Sequence, residues 1–408
     1  MERRIELPLA HDHHTHASLY AAFTGLPDLG VRDAGEALAF LRRLPGDRLN
    51  LVRGWRSALL PLTRDDLATL PPLVLVNSSL HGFALSPAAL PPVQKLWPEL
   101  AERYDDRAWG ERHLPDLFSF YGRVAGLDSA KLAAFMGSLA DAGIGSVEDM
   151  TVSGPEALAL FGSPPWTGRI LSWATPAVWA GLGAGERAAC RGQKVFLDGS
   201  LGARSAALDA PFLDGETGIL VYGDEELEEL LAGVAAEGCG LSLHAIGHRA
   251  IAQALEILGR VICSGPGFPL VRLEHAQFID PGQARAAREL GLQLSMQPNF
   301  NADSTDYADR LRSRHLAENN PFRMLVDTAG FRPGIDLVFG SDGMPHGPEE
   351  ALRCGLFPPF KGQALSVAEL AAGYGPARGT ADSYSSHLVD EENQRVRLEH
   401  VRFGGHRA

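Results

Sequence analysis

The feature of this sequence that most limits its fold is a series of eight short apolar, β-rich segments, many of them separated by helical stretches. Helices are predicted at residues 224–237, 248–259 and 281–290. Strands that alternate with helices favour a parallel sheet, and eight such units predict a (β/α)8 barrel, the TIM barrel of the α/β class. The eight predicted strands are 5–10, 146–150, 169–173, 194–199, 241–244, 271–275, 292–296 and 336–342.

The chain between residues 17 and 140 is too long for one strand–helix unit. It contains two further strand-like segments, at 49–55 and 73–77, and a region with several Pro and Trp residues at 90–109. We therefore expect an insertion after the first barrel strand. Such an insertion would cover the end of the barrel at which the loops after the strands lie.

The domain boundaries follow from this reading. Residues 1–360 are predicted to form the barrel together with the 17–140 insertion, which acts as a cap between strands 1 and 2. Residues 361–408 are predicted to form a C-terminal helix and tail. The helix falls at 366–372, and a strand-like pattern at 396–404 lies within the polar tail.

The composition restricts the class of partner. The 408 residues include 37 Lys and Arg against 50 Asp and Glu, a formal net charge of −13. This acidic balance argues against a nucleic-acid partner, because phosphates need a basic surface. No run approaches the roughly 18 apolar residues that a membrane span requires. The N-terminal segment MERRIELPLA lacks the apolar region of a signal peptide, so we expect a cytoplasmic protein with reduced, scattered cysteines.

Six side chains with metal-binding chemistry lie in or just after the predicted strands. On a barrel, the carboxyl ends of the strands meet at one face, and imidazole and carboxylate are ligands that suit zinc and related ions. Two histidines two residues apart on a strand also point to the same side. The six residues are His14, His16, Lys194, His244, His275 and Asp342.

Each of these residues also has a structural interpretation. His244 and His275 are compatible with half-buried structural histidines, Asp342 with a cap at a strand end, and Lys194 with a side chain that reaches the surface. The H-x-H pair at 14 and 16 is compatible with a polar N-terminal segment. The conjunction of all of them at strand ends favours a metal site.

Several motifs in this order resemble the amidohydrolase superfamily, and within it the amidohydrolase 3 group of YtcJ-like metal-dependent hydrolases. The most specific is the segment KVFLDGSLGAR, which is similar to the family's K-[VIL]-[FY]-x-D-G-S-x-G-[SA]-R. The matching segments are 12–16 (DHHTH), 194–204 (KVFLDGSLGAR), 244–247 (HAIG), 272–277 (RLEHAQ), 295–298 (SMQP) and 340–342 (GSD). Part of the insertion, at 67–75 and 81–90, is also similar to the family pattern.

The resemblance implies one or two divalent metal ions, with zinc expected and iron or manganese as alternatives. His14, His16 and Asp342 would hold one ion, and His244 and His275 would hold the second. A divalent ion lowers the pKa of its water and polarises a carbonyl group, and Asp342 would accept a proton from that water and deliver it to the leaving nitrogen.

Lys194 would bridge two ions if carbon dioxide carboxylates its amine, and one ion is expected if it stays unmodified. With Asp342 and His275 it completes the predicted catalytic group. The implied activity is hydrolysis of a C–N bond in a small-molecule substrate, either a linear amide or an N-acyl or N-formyl group. A homodimer is a further expectation from the family.

Four residues are expected to orient the substrate or support the ligands: Asp198, Arg204, His248 and Gln297. His248 departs from the family pattern, which usually has Asp after H-A-I-G. That change would alter specificity if the residue faces substrate, and otherwise it is a helix N-terminal residue without a chemical role.

Three alternatives stay open. The protein could instead be an ester hydrolase, a deaminase of the same superfamily, or a non-catalytic metal-binding homologue. A deaminase usually pairs the strand-five His with a Glu three residues later, and Gly247 occupies that position. The companion β-sandwich of the family is expected to be largely absent, because His14 lies close to the start of the sequence and the usual closing segment is missing.

Overall fold

The computed structural model describes residues 2–30, 33–56 and 59–404. In this part of the chain the strands are β1 (Glu2–Pro8), β2 (Ala10–Thr15), β3 (Asn50–Trp55), β4 (Leu73–Asn77), β5 (Phe83–Leu85), β6 (Ile144–Asp149), β7 (Ile170–Ala174), β8 (Cys190–Phe196), β9 (Gly240–Ala245), β10 (Val271–His275), β11 (Gln293–Met296), β12 (Leu337–Phe339), β13 (Tyr384–Asp390) and β14 (Arg395–Arg402).

The helices of the same ranges are α1 (Ala17–Ala22), α2 (Ala34–Leu41), α3 (Arg64–Ala68), α4 (Leu90–Leu96), α5 (Pro98–Arg103), α6 (Arg107–Arg112), α7 (Leu114–Ala125), α8 (Ser129–Asp141), α9 (Pro155–Gly162), α10 (Pro176–Gly181), α11 (Ala184–Ala189), α12 (Asp224–Ala236), α13 (His248–Ser264), α14 (Pro281–Glu289), α15 (Asp303–Asp306), α16 (Ser313–Glu318), α17 (Pro348–Leu356) and α18 (Val367–Tyr374). None of these helices is both long and apolar enough to cross a membrane.

The predicted (β/α)8 barrel is confirmed. Strands β2, β6, β7, β8, β9, β10, β11 and β12 form one eight-stranded sheet in chain order, and each strand is parallel to its neighbour. The predicted helices correspond to α12, α13 and α14. Helix α13 buries Ile251, Leu255, Leu258 and Val261, a spacing of three or four residues that keeps one apolar face against the barrel.

The prediction for the first barrel strand is wrong. Residues 5–10 lie mostly in β1, which pairs antiparallel with β13 in a separate three-stranded sheet of β1, β13 and β14. The first barrel strand is instead the His-rich segment Ala10–Thr15. Apolar content indicated the wrong segment because the barrel strand directs polar side chains into the barrel and its seam. Pro8 is the last residue of β1, and the barrel strand begins two residues later at Ala10.

The segment after the barrel contains more regular structure than a helix and tail. Helix α18 covers most of the predicted 366–372 helix, and β13 and β14 follow it. The strand-like pattern at 396–404 corresponds to β14. Residues 405–408 of the predicted tail lie outside the described residues.

The chain between β2 and β6 forms helices α1 to α8 and a small sheet of β3, β4 and β5. Strands β3 and β4 match the two strands predicted at 49–55 and 73–77 and run parallel, and β5 is antiparallel to β4. A small apolar core of its own lies beside this sheet. Its buried members are Leu29, Ala37, Leu41, Val52, Leu60, Leu70, Leu73 and Leu75.

The seam between the first and last barrel strands is closed by a buried carboxylate. Asp12 is fully buried, and its Oδ1 accepts hydrogen bonds from the backbone N–H of His14 at 3.1 Å and of Ser341 at 2.9 Å. The Ser341 hydroxyl donates to Oδ2 of Asp12. Gly340 permits this close approach, since a Cβ there would lie 2.4 Å from the His14 nitrogen.

We expect Asp12→Ala to lower the free energy of unfolding by about 2–4 kcal/mol, because it leaves several buried donors without an acceptor. Urea denaturation after dialysis against a chelator measures this loss without a contribution from bound metal. The exposed Asp65→Ala is the control and should stay within about 0.5 kcal/mol of the parent protein. Equal losses in the two variants would contradict the role of Asp12 in closing the barrel.

Candidate metal centre

The barrel brings the six predicted ligands to its carboxyl end, where they are largely removed from solvent. Five of them are at most 5% exposed, and the Asp342 side chain is 18% exposed. The group consists of His14 and His16 at the end of β2, Lys194 in β8, His244 in β9, His275 at the end of β10 and Asp342 after β12.

Three donors stand especially close together. One ligand atom each from His14, His275 and Asp342 lies within 4.8 Å of the other two. The His14 Nε2 atom lies 3.7 Å from Asp342 Oδ1, and the His16 Nε2 atom lies 3.4 Å from the same oxygen. The His244 ring is next to this group, with its centroid 4.5 Å from that of His275.

Two of these residues have an unusual backbone conformation. His275 has a φ of 68° and Asp342 a φ of 54°, in the left-handed region that residues with a Cβ rarely adopt. Residues held in this region cluster at functional sites, where the surrounding structure compensates for their strain. Here the strain turns both side chains toward the shared centre at the strand ends.

Hydrogen bonds to the far side of the rings orient the two β2 histidines. The His14 Nδ1 atom donates to Oε2 of Glu274 at 2.6 Å. The His16 Nδ1 atom shares a hydrogen bond with Oγ1 of Thr151 at 2.7 Å. Because the second nitrogen of a ligating histidine is usually held in this way, the Nε2 atoms that face Asp342 are the ones suited to bind an ion.

The other two histidines are oriented by the same principle. The His275 Nδ1 atom donates to Oε1 of Gln297 at 2.8 Å, so its Nε2 atom carries the lone pair. The His244 Nε2 atom donates to the Gly199 carbonyl oxygen at 3.2 Å and lies 3.4 Å from Asp198 Oδ1. The lone pair of His244 is therefore on Nδ1.

Lys194 is the unusual member of the group. Its side chain is fully buried, and among the described residues its Nζ atom has no hydrogen-bond partner. Burial lowers the pKa of this amine to about 8, although Glu274 and Asp342 act in the opposite direction. A buried ammonium without an acceptor is costly, so burial increases the neutral fraction of this amine relative to an exposed lysine.

The donor set therefore fits a divalent metal ion. Imidazole nitrogens and a carboxylate oxygen are the ligands of catalytic zinc sites. The Lys194 amine, whose Nζ atom has no hydrogen-bond partner among the described residues, interacts electrostatically with His14, His275 and Asp342. Burial alone would raise the pKa of Asp342, but the nearby His14 and His16 hold it well below its usual range. Its carboxylate is consequently ionised and able to ligate.

A second group of possible ligands lies deeper in the barrel but has a different character. One atom each of His11, His13 and Glu148 lies within 4.8 Å of the others. The Glu148 carboxylate, however, already receives Arg191 and Arg272 at 2.7 Å each. Because two guanidinium groups neutralise it, we assign this group to the structural interior of the barrel.

A cavity of about 950 Å³ lies next to residues that contact the candidate ligands, although none of the six ligands is among its described lining residues. Residues of the 17–140 segment line one side of it, and loops that follow the barrel strands line the other. Tyr20, which lines it, donates to the Asp342 carbonyl oxygen at 3.2 Å. Phe300 stacks on His275 with ring centroids 6.0 Å apart. The cavity thus reaches the immediate surroundings of the ligands.

The four residues expected to orient substrate occupy different places. Arg204 lines the cavity. Gln297 and Asp198 are buried beside His275 and His244, as described above, and are not among the described lining residues. His248 lies apart from this cavity, with its Nδ1 atom 3.7 Å from Oδ1 of an exposed carboxylate, that of Asp209.

Sequence reasoning gave no role to a pair of residues that the structure places at the site. The His81 Nδ1 atom lies 2.8 Å from Oε2 of Glu111, and the His81 ring centroid is 5.4 Å from that of His244. Both residues of the pair line the cavity. For His81, the sequence offered one indication, the similarity of segment 81–90 to the family pattern. For Glu111 it offered none, because this residue lies outside the matching motifs.

We expect Gln297→Met to weaken metal binding about 10- to 100-fold, because loss of the acceptor frees the His275 ring to change orientation and tautomer. Competition against a chromogenic chelator measures the dissociation constant. Gln293→Met is the matched control, since Gln293 begins β11, the strand that Gln297 follows, and its side-chain amide donates to the Ile335 carbonyl oxygen at 2.9 Å. Unchanged metal affinity in Gln297→Met would contradict this role.

Two curated relatives match part of the chain. Protein LONG AFTER FAR-RED 3 of Arabidopsis thaliana is 32% identical over 156 residues, which are 37% of this chain and 26% of that protein. YtcJ of Bacillus subtilis (strain 168) is 32% identical over 152 residues, 36% of this chain and 27% of that protein. The match thus spans about a quarter of the length of these relatives.

Solved structures and a family match extend the comparison. An uncharacterized metal-dependent hydrolase from Pyrococcus furiosus has a TM-score of 0.64 at 21% identity, covering 91% of this chain and 81% of that one. Its counterpart from Pyrococcus horikoshii OT3 has a TM-score of 0.63 at 22% identity, covering 91% and 80%. These two show a shared fold. Residues 128–350, more than half of the sequence, match the Amidohydrolase family, and the chain therefore belongs to that family.

Proposed function

We propose that this protein is a metal-dependent hydrolase that cleaves the C–N bond of a linear amide, an N-acyl or an N-formyl group. The observation that carries the proposal is the arrangement of His14, His275 and Asp342, whose ligand atoms lie within 4.8 Å of one another. The buried Lys194 amine interacts with Asp342 and has no hydrogen-bond partner among the described residues. Membership of the amidohydrolase family supports the same reaction class.

In this proposal the oriented imidazoles and Asp342 hold one or two divalent ions, with zinc as the expected metal. His14 and His16 would act through Nε2, His275 through Nε2 and His244 through Nδ1, according to the hydrogen bonds that fix each ring. The chemistry that a bound ion supplies is a lowered pKa for water and polarisation of a substrate carbonyl.

Asp342 performs the proton transfers. Its carboxylate is ionised, since His14 and His16 hold its pKa below the usual range against the opposing effect of burial. The carboxylate would take a proton from the attacking water and return it to the leaving nitrogen. Protonation is needed there because an amide anion is a poor leaving group, and a group within hydrogen-bond reach provides it most efficiently.

Lys194 is proposed to carry a carboxyl group in the active protein. Its neutral amine would attack carbon dioxide, which forms an N–C bond and releases a proton, and the product is an anionic oxygen ligand. Burial without a hydrogen-bond partner among the described residues and the lowering of its pKa to about 8 both support this modification, because they increase the fraction of neutral, nucleophilic amine.

The 17–140 segment is proposed to act as the cap of the site. Its residues Arg53, Trp55, His81 and Glu111 line the cavity of about 950 Å³. A cap over such a site excludes water and contacts the part of the substrate that is not cleaved. Because the cavity lining mixes charged and aromatic side chains, the proposed substrate carries a polar group as well as an apolar one.

The double variant His14→Ala/His16→Ala is expected to lose bound metal and at least a hundredfold of the hydrolytic activity. Elemental analysis of protein purified without chelator measures the metal. A panel of N-formyl and N-acyl amines, with esters and aminopurines for comparison, measures the activity. His400→Ala is the control, since His400 is exposed on β14.

If the protein turned over an ester or an aminopurine faster than any amide, the proposed amide hydrolysis would be wrong. The protein would then be assigned as an ester hydrolase or a deaminase. A folded parent protein that neither carries metal nor gains it on addition would contradict the hydrolase proposal as a whole.

Carboxylation of Lys194 predicts that bicarbonate promotes metal uptake. Metal-depleted protein reloaded with zinc and bicarbonate should bind more zinc than protein given zinc alone, and ¹³C-labelled bicarbonate should produce a carbamate NMR signal. Lys194→Ala should abolish the signal, whereas Lys361→Ala, at an exposed position, should retain it. Unchanged activity in Lys194→Ala would show that the residue does not bridge metals.

A further inference from the structure

A second group of metal-binding side chains lies on the rim of the barrel, away from the proposed catalytic centre. Asp209 belongs to the segment between β8 and α12, His248 is the first residue of α13 after β9, and His315 lies in α16 after β11. Three different strand-following loops therefore contribute one residue each. The catalytic proposal uses none of the three as a ligand.

The donor atoms of this group are already close to the spacing of a metal site. One ligand atom from each residue lies within 4.8 Å of the other two. The Asp209 Oδ1 atom is 2.9 Å from His315 Nε2 and 3.7 Å from His248 Nδ1. Ligands about 2.0–2.1 Å from a tetrahedral zinc ion stand roughly 3.3 Å apart, so small side-chain adjustments suffice.

The His248 ring has the environment of a ligand. Its Nδ1 atom, which faces Asp209, is buried and makes no hydrogen bond to any described residue. Its opposite nitrogen, Nε2, lies 3.6 Å from Oε2 of Glu318. This distance is too long for a hydrogen bond, but a small side-chain movement would form one, and such a bond holds the tautomer of a ligating imidazole.

The backbone around the group is fixed by contacts that do not depend on a metal. The amide of Arg249 donates to the Ala207 carbonyl oxygen at 2.9 Å, which joins the loops that carry His248 and Asp209. Gly247 allows this approach, because a Cβ there would lie 2.3 Å from the Ala207 carbonyl carbon. His315 is fully buried. An ion would thus meet donors whose positions the fold already restricts.

One cation already contacts the group. The Arg314 Nη2 atom lies 2.6 Å from Asp209 Oδ1. The Arg314 side chain is 49% exposed and can withdraw into solvent or move to the second carboxylate oxygen. Its presence lowers the affinity for an ion, and an ion would also replace the hydrogen bond between His315 Nε2 and Asp209 Oδ1, while His248 Nδ1 has no hydrogen bond to a described residue.

We propose that Asp209, His248 and His315 form a peripheral zinc site, supported by Glu318, that joins three loops at the rim of the barrel. Two imidazoles and one carboxylate match the ligand chemistry of zinc, with a water molecule in the fourth position. The site does not depend on the proposed hydrolytic function. In metal-replete protein it adds one zinc equivalent to those of the catalytic centre.

The test compares zinc content per chain in zinc-loaded, gel-filtered full-length protein. Asp209→Asn and His248→Asn should each hold one equivalent less than the parent protein. Two variants are used because either alone could disturb folding, which circular dichroism checks. Glu216→Gln is the matched control: Glu216 lies in the same loop as Asp209 and pairs with Arg107 at 2.7 Å, and this variant should keep the parent stoichiometry. Equal zinc content in all four proteins would overturn the proposal.

A second measurement separates this site from the catalytic one. The His14→Ala/His16→Ala variant should still show an anomalous diffraction peak at the zinc edge among Asp209, His248 and His315. That peak should disappear in a His248→Asn crystal. Zinc found only beside Asp342 in the parent protein would reject the peripheral site, whereas zinc only at the rim would reject the catalytic ion and leave this inference standing.

Discussion

The buried guanidinium of Arg272 is the interaction on which the barrel interior depends. It is fully buried and donates to Glu148 Oε2, the His13 carbonyl oxygen and Ser295 Oγ, each at 2.7 Å, and it lies 3.0 Å from Glu274. These contacts connect strands β2, β6, β10 and β11. A buried charge of this kind is tolerated only when it is fully paired. Since Glu274 in turn holds the His14 ring, the same network that neutralises Arg272 also orients a candidate ligand.

The sequence predicted seven of the eight barrel strands because those strands are buried between barrel interior and helices, which makes them apolar and β-rich. The first strand was misplaced for the opposite reason. In β2, His14 is a candidate ligand, and Asp12 accepts a hydrogen bond from Ser341 across the seam of the barrel. The strand with the most functional residues therefore has few apolar residues by which a strand is recognised. Strands β3 and β4 of the small sheet were recognisable, because their buried residues belong to a separate apolar core.

The residues of the site were accessible from the sequence only as far as they occur in motifs. The six ligand candidates stand in short segments, and the fold brings these together at the strand ends. Two partners of the ligands, Asp198 and Gln297, also occur in motifs and were expected to support the site. Thr151 was not accessible, because its hydrogen bond to His16 joins residues far apart in the chain and no motif marks it. Glu111 illustrates the same limit: nothing local marks it, and only the folded insertion places it beside His81.

The carboxylate of Asp198 contacts both the loops at the rim of the barrel and a candidate ligand of the metal centre. It accepts the backbone N–H groups of Ala207 at 2.8 Å, Ile246 at 2.9 Å and Gly247 at 2.8 Å, and it lies beside the His244 ring. A loop movement at the rim must therefore either break these bonds or displace the carboxylate together with the ring that it contacts. Through this one side chain, the geometry of a candidate catalytic ligand is tied to the position of loops whose own tips face solvent.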